Sequence, residues 1–267
     1  MAVLAQKNIA PEQVAYVFLT HIHLDHAGGA SEFMRQLPNA QLVVHPRGAA
    51  HMINPVKLVA GVMAVYGEAK FRQMYGEIEP IAAERVIEAP DGTIIELDGR
   101  PLLLIDTPGH ARHHYCIHDT CSESIFTGDT FGVSYRELDV NDREFVFPTT
   151  SPVQFDPQAA HASIDRLMTL QPRQAFLTHF GRIQHLEHHA AQMHELIDAF
   201  VEIAREASAQ PERHASMVEA LRALLAQKLV THGCTLPAAT IASLLQTDIE
   251  LNAQGLAIWL DHAAKAS

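Results

Sequence analysis

Short apolar runs and longer segments with helical spacing alternate along the first two thirds of the chain. Residues 14–20 (VAYVFLT) are apolar, with β-branched and aromatic members, which is typical of a buried strand. Further strands are predicted at residues 41–44, 94–97, 101–107, 114–118, 124–127 and 175–178. Apolar residues recur at helical spacing in segments 30–36, 56–74 and 156–170. This mixture predicts an α/β domain built in layers, with its site on loops at strand ends.

The last part of the chain has a different pattern, because it is helical from residue 187 almost to the end. Pro211 and Gly233 are the expected breaks between its helices. We therefore predict a main domain over residues 1–208 and a C-terminal helical extension over residues 209–267.

Four potential metal ligands follow the first predicted strand directly, in the sequence HIHLDH at residues 21–26. His21 and His23 alternate, so an extended backbone points both side chains the same way. Asp25 and His26 lie on the following turn and can face a second position. Imidazole is the commonest metal ligand in proteins, so this cluster predicts a metal site that needs partners from elsewhere.

Three later strand ends offer such partners. His110 follows the strand PLLLIDT in a Pro-Gly-His sequence, Asp129 follows SIFT in a Gly-Asp pair, and His179 follows AFLT. A single strand-end histidine means little, whereas this repetition indicates a ligand set that is hard to produce by chance.

With these motifs in their order along the chain, residues 14–181 resemble the metallo-β-lactamase-fold hydrolase superfamily, in its glyoxalase II and lactonase-like branch. The resemblance implies an αββα sandwich and a site for two divalent metal ions. It assigns the first metal to His21, His23 and His110, the second to Asp25, His26 and His179, and the bridge between them to Asp129.

The expected ligand types suit zinc best, and also iron or manganese. Two metals lower the pKa of a shared water, so that a bridging hydroxide is available near neutral pH, and they polarise a carbonyl. We assign catalytic roles to Asp129 and to Asp25, which could orient that water. His114 and Tyr135 are candidates for contacts with the substrate or with the ligands.

One departure from the family pattern is the position of His21 so near the start, which leaves the first strands of the sandwich missing. Truncation is the preferred explanation, ahead of a compact natural variant or a strand supplied by a partner chain. A homodimer that covers the exposed sheet edge is therefore one expected state.

Several activities of the superfamily fit poorly. Asp129 argues against a class B β-lactamase, and His23 stands where a flavodiiron oxidoreductase needs a glutamate. The best prediction is hydrolysis of a small ester, lactone or thioester. Two alternatives stay open: an oxidoreductase like the persulfide dioxygenases with one iron ion, and a truncated metal-binding remnant without catalysis.

The composition of the chain disfavours some classes of binding partner. The 267 residues carry a net charge of −12 without a basic face, which disfavours nucleic acids and anionic membrane surfaces. Three cysteines without CxxC spacing fit a reducing cytoplasm. A small-molecule substrate is expected. Of the 18 histidines, four in the helical stretch are predicted to lie on a solvated face: His185, His188, His189 and His194.

Overall fold

A computed structural model describes residues 1–150 and 153–266. The chain forms two compact units. The N-terminal unit comprises Met1–Asp106 and His113–Tyr115, and the C-terminal unit comprises Thr107–Arg112 and Cys116–Ser267.

The N-terminal unit is built on three parallel strands in the order β1 (Tyr16–Phe18), β2 (Gln41–Val44), β3 (Val86–Glu88). Parallel neighbours require crossover connections, which helices supply here. The crossover from β1 to β2 contains α2 (Leu24–Ala27) and α3 (Ala30–Gln36), and the crossover from β2 to β3 contains α4 (Pro46–Ile53), α5 (Val56–Tyr66) and α6 (Glu68–Tyr75). Helix α1 (Ala2–Gln6) precedes β1. The fully buried Leu42 and Val44 of β2 contribute to one core with Ile22 and Met34.

Arg85 closes one end of this core by capping α3. Its guanidinium donates to the backbone carbonyls of Met34 at 2.7 Å, Leu37 at 2.6 Å and Ala40 at 2.7 Å. Met34 lies in the last turn of α3, and Leu37 and Ala40 follow the helix, so a cation beside these carbonyls is favourable. The unit also holds an antiparallel hairpin of β4 (Ile94–Leu97) and β5 (Arg100–Asp106).

The C-terminal unit contains β6 (Tyr115–Asp119), β7 (Ser124–Gly128), β10 (Gln174–Leu177) and β11 (Gly181–Ile183). The first residue of β6, Tyr115, is assigned to the N-terminal unit. The four strands lie in the order β11-β10-β7-β6, and β10 runs parallel to β7. A short ribbon pairs β8 (Val133–Ser134) with β9 (Val146–Phe147). The helices are α7 (Pro157–Thr169), α8 (Leu186–Ala207), α9 (Arg213–His232) and α10 (Ala238–Ala266).

The predicted elements are present, with bounds that differ from the predicted ones by two residues at most, except that one predicted helix is divided. Segment 56–74 is two helices because Gly67 between them has φ +80°, outside the helical region. The helical prediction for the end of the chain is confirmed, since α8, α9 and α10 pack on one another. Helix α9 ends at the expected Gly233, whose φ is +94°. The domain boundary at residue 208 stays a prediction. Among the described residues, no helix has both the length and the apolar character that crossing a membrane requires.

Candidate metal centre

The loop after β1 gathers the first predicted ligands. His21 is fully buried, and its Nε2 lies 3.0 Å from Nδ1 of His23. Nδ1 of His21 lies 3.2 Å from the hydroxyl of Thr20. The ring nitrogens of His21 and His23 therefore converge on the same space, as the alternation in the sequence predicts.

The next two ligands lie on α2. Asp25 is on the first turn with a half-exposed side chain, and its Oδ2 is 3.3 Å from Nε2 of His26. The ring centroids of His26 and His21 are 4.0 Å apart. Within the N-terminal unit, the structure thus brings together the four potential ligands of the HIHLDH sequence.

The C-terminal unit contains the other three predicted ligands: Asp129, which follows β7, and the two histidines that face it. One carboxylate oxygen, Oδ2, is 3.5 Å from Nε2 of His110, and the other, Oδ1, is 3.7 Å from Nε2 of His179. These distances exceed the 2.7–3.2 Å or so of an ordinary N–H···O hydrogen bond. Each oxygen of Asp129 therefore faces a different histidine across a gap that a cation would fill.

The tautomer of His110 supports this interpretation. Its Nδ1 lies 3.1 Å from the carbonyl oxygen of Thr149, which can only accept, so Nδ1 donates. In the neutral ring, Nε2 then presents a lone pair to a carboxylate oxygen of Asp129. Two electron-rich atoms that face each other suit a divalent metal, and a carbonyl behind the histidine is the usual support for such a ligand. All seven predicted residues are candidate metal ligands by their chemistry.

The loop that carries His110 is held from two sides. Gly109 has φ +133°, and a Cβ there would come within 2.5 Å of Ala160, so α7 packs directly on the loop. On the other side, Asn252 of α10 accepts from the backbone N–H of Thr150 at 2.6 Å and donates to the carbonyl of Pro148 at 3.2 Å. This clamp fixes the carbonyl of Thr149 that orients His110.

The two lower-ranked candidates have different surroundings. His114 is fully buried, and its ring centroid is 4.9 Å from that of His21, which suits a role in positioning that ligand. Tyr135 donates its hydroxyl to Oδ2 of Asp248 at 2.6 Å, and its ring centroid lies 4.3 Å from that of Phe180, next to His179. Burial and the carboxylate raise the pKa of Tyr135, so its hydroxyl stays protonated.

Asp248, Thr149 and Asn252 are functional candidates that the sequence pattern does not reveal. Burial raises the pKa of the Asp248 carboxyl, and the nearby His179 counteracts this. Asp248 and Asn252 occupy ordinary positions of a long helical pattern, and Thr149 contributes only its backbone. No local signal distinguishes them.

The predicted solvated face of α8 is wrong at one position. His185 and His188 are exposed and His194 is partly buried, but His189 is only 1% exposed. Its Nε2 lies 3.3 Å from Oε2 of Glu144. His189 shares a helical face with Met193, Leu196 and Phe200, all of which pack into the core.

Comparison with known proteins identifies the family of the chain. The model of the metallo-beta-lactamase superfamily matches residues 1–179. A metallo-beta-lactamase fold-containing protein from Sulfurisphaera tokodaii is 30% identical over 188 residues, covering 68% of this chain and 67% of that protein. The chain belongs to the metallo-beta-lactamase superfamily, which confirms the resemblance.

Relatives with named activities match less of the chain. An acyl-coenzyme A thioesterase from Gallus gallus is 28% identical over 116 residues, which is 41% of this chain and 39% of that enzyme. A hydroxyacylglutathione hydrolase from Salmonella paratyphi A is 27% identical over 129 residues, which is 47% of this chain and 38% of that enzyme.

Among solved structures, a metallo-beta-lactamase family protein from Thermus thermophilus superposes with a TM-score of 0.67 at 17% identity. The match covers 98% of this chain and 79% of the other. The predicted fold class is confirmed: a mixed α/β fold of the metallo-β-lactamase type with a C-terminal helical extension.

Proposed function

We propose that the chain is a binuclear metal-dependent hydrolase that cleaves a small ester, lactone or thioester. The observation that carries the proposal is the placement of Asp129, whose two oxygens face His110 and His179 separately at 3.5 and 3.7 Å. A carboxylate whose two oxygens each face a different histidine is suited to bridge two ions.

The proposed ligand set follows the family order. His21, His23 and His110 would hold one ion, Asp25, His26 and His179 the other, and Asp129 would bridge them. Zinc suits this donor set, and iron or manganese could replace it. When bound, two such ions would make hydroxide available at neutral pH and polarise the substrate carbonyl.

The chain's own residues supply the remaining parts. The half-exposed Asp25 can accept a proton from the attacking water and orient it. Tyr135 donates its single O–H proton to Asp248, so its ring is the part that can contact a substrate bound near His179. The thiol of the buried Cys116 has a pKa of about 12 and stays protonated, so it does not compete as a nucleophile.

The substrate class rests on chemistry and on relatives. The Gallus gallus relative is named as a thioesterase, which supports a thioester for this chain, and the match spans 39% of that enzyme. We further propose a small-molecule substrate, no nucleic-acid or membrane partner, and a homodimer as one state. The cytoplasm is the proposed compartment, because the three cysteines are free.

The test begins with metal content. Elemental analysis of untagged, monodisperse protein should find at least two zinc, iron or manganese ions per chain. A panel of acyl thioesters, lactones and simple esters should then show turnover that a chelator removes and added metal restores.

Other outcomes would overturn the proposal in defined ways. One iron ion per chain together with oxygen consumption on a persulfide would establish the oxidoreductase alternative. Bound metal without turnover on any member of the panel would indicate the remnant alternative.

A further inference from the structure

A second histidine cluster lies on the outer helices of the C-terminal unit, apart from the seven proposed ligands. His161 of α7 and His194 of α8 point their Nδ1 atoms at each other at 2.6 Å. Their ring centroids are 4.9 Å apart and their planes differ by 11°, so the two rings are nearly parallel.

Each histidine also bonds a carboxylate on the opposite helix. Nε2 of His161 lies 3.1 Å from Oδ1 of Asp198 on α8, and Nε2 of His194 lies 3.1 Å from Oδ1 of Asp165 on α7. Each helix thus contributes a His-x-x-x-Asp sequence, 161–165 and 194–198, and the two helices exchange contacts reciprocally.

The positions of the protons on the two imidazole rings distinguish this cluster from an ordinary pair of surface histidines. A carboxylate can only accept, so both Nε2 atoms must donate, and in neutral rings both Nδ1 atoms then carry lone pairs. Two lone pairs at 2.6 Å repel each other. Some cation must lie between them, and the choice is a proton or a metal ion.

We propose that His161 and His194 form a metal site for a zinc-like divalent ion. Histidine ligands usually donate their second ring nitrogen to a carboxylate, which is the arrangement found here on both sides. Zinc–nitrogen bonds of about 2.0–2.1 Å require the two Nδ1 atoms to move apart. The side chains are 27% and 29% exposed, which leaves them free to do so.

The surroundings leave room for the other ligands of such an ion. His161 and Asp198 border a surface cavity of about 520 Å³, where water or a small anionic ligand could complete the coordination. Imidazole suits zinc, nickel and copper, so zinc serves as the probe.

The experiment measures zinc per chain after equilibrium dialysis of the untagged protein against buffered zinc. The double variant His161→Ala/His194→Ala should bind one zinc ion fewer than the wild type and keep its hydrolytic rate. His188→Ala removes an exposed histidine from the same helix, and it should bind as much zinc as the wild type. Equal zinc content in the double variant would overturn the proposal and leave a shared proton between the rings.

A second variant keeps the test decisive if the first one fails to fold. Asp165→Asn/Asp198→Asn changes two carboxylates that are 73% and 78% exposed and keeps both imidazoles. Loss of such supporting carboxylates should weaken binding of the additional zinc by about 10–100-fold. Unchanged zinc affinity in this variant would contradict the proposed site.

Discussion

Asp129 is the residue on which the proposed chemistry depends most, since each of its two oxygens faces a different histidine. Asp129→Ala should remove the bridge and lower kcat/KM by about 100-fold or more, because the loss of metal charge stabilisation costs several kcal/mol. Steady-state kinetics with metal analysis is the measurement.

The side chain of Asp129 is small and buried, so the fold should survive its truncation, which circular dichroism can check. His188→Ala is the matched control and should change neither rate nor metal content. Full activity in Asp129→Ala would rule out the bridging role.

Tyr135 and Asp248 allow a prediction about stability that is independent of catalysis. Tyr135→Phe leaves the partly buried Asp248 carboxylate without its 2.6 Å donor and should cost about 1 kcal/mol of unfolding free energy. Chemical denaturation gives this value. The second variant Tyr135→Phe/Asp248→Leu removes both polar partners and should recover part of the loss, whereas an additive loss would refute the pairing.

At the scale of elements, α10 supports the metal-site loop through a single side chain. Asn252→Ala removes the hydrogen bonds to Thr150 and Pro148 that fix the carbonyl of Thr149 behind His110. We expect metal affinity to fall by about tenfold, as for other residues that orient ligands. Metal-buffer titration of the variant tests this, with the exposed Gln254→Ala on the same helix as control. Unchanged affinity would show that the clamp does not reach His110.

The contact between His189 of α8 and Glu144, which precedes β9, predicts that the stability of the protein depends on pH. Burial lowers the pKa of His189, and Glu144 only partly opposes this, while His188 and His185 add to the lowering. Among the described residues, Nδ1 of His189 has no hydrogen-bond partner, so a second proton on the ring would be buried without an acceptor.

The direction in which stability changes with pH follows from proton uptake by the unfolded chain. The unfolded chain binds a proton at His189 near pH 6.5, whereas the folded chain resists it, so the contribution to stability is present above about pH 6.5. It is lost as the pH falls from there through the lowered pKa of the folded state. Urea unfolding at several pH values should show this loss. His189→Gln keeps a donor for Glu144 without titrating and should have a weaker pH dependence, and an equal slope would exclude His189 as the source.

How much the sequence predicts also depends on scale. The seven proposed ligands stand out because each follows an apolar strand within a few residues, and strand ends are readable from local pattern. The buried state of His189 and the roles of Asp248 and Asn252 depend on which helix face meets a neighbour. The position of a residue along a helix does not show which neighbouring element it contacts. These contacts could therefore not be predicted from the sequence.

For the whole molecule, the proposed ligand set couples metal binding to folding. The proposed ligands are scattered over residues 21–179 of the unfolded chain, so under this proposal metal should bind the folded state far more tightly. At a free metal concentration of about 100 times Kd, this adds about 2.7 kcal/mol. For a chain of this size, that corresponds to a rise in Tm of roughly 5–10 °C. Differential scanning calorimetry with chelator, and again after metal is returned, measures the shift. Asp129→Ala should show a smaller shift than the wild type, because it lacks the bridging ligand. Equal Tm values for the wild type with and without metal would mean that the seven residues hold no ion in the folded chain.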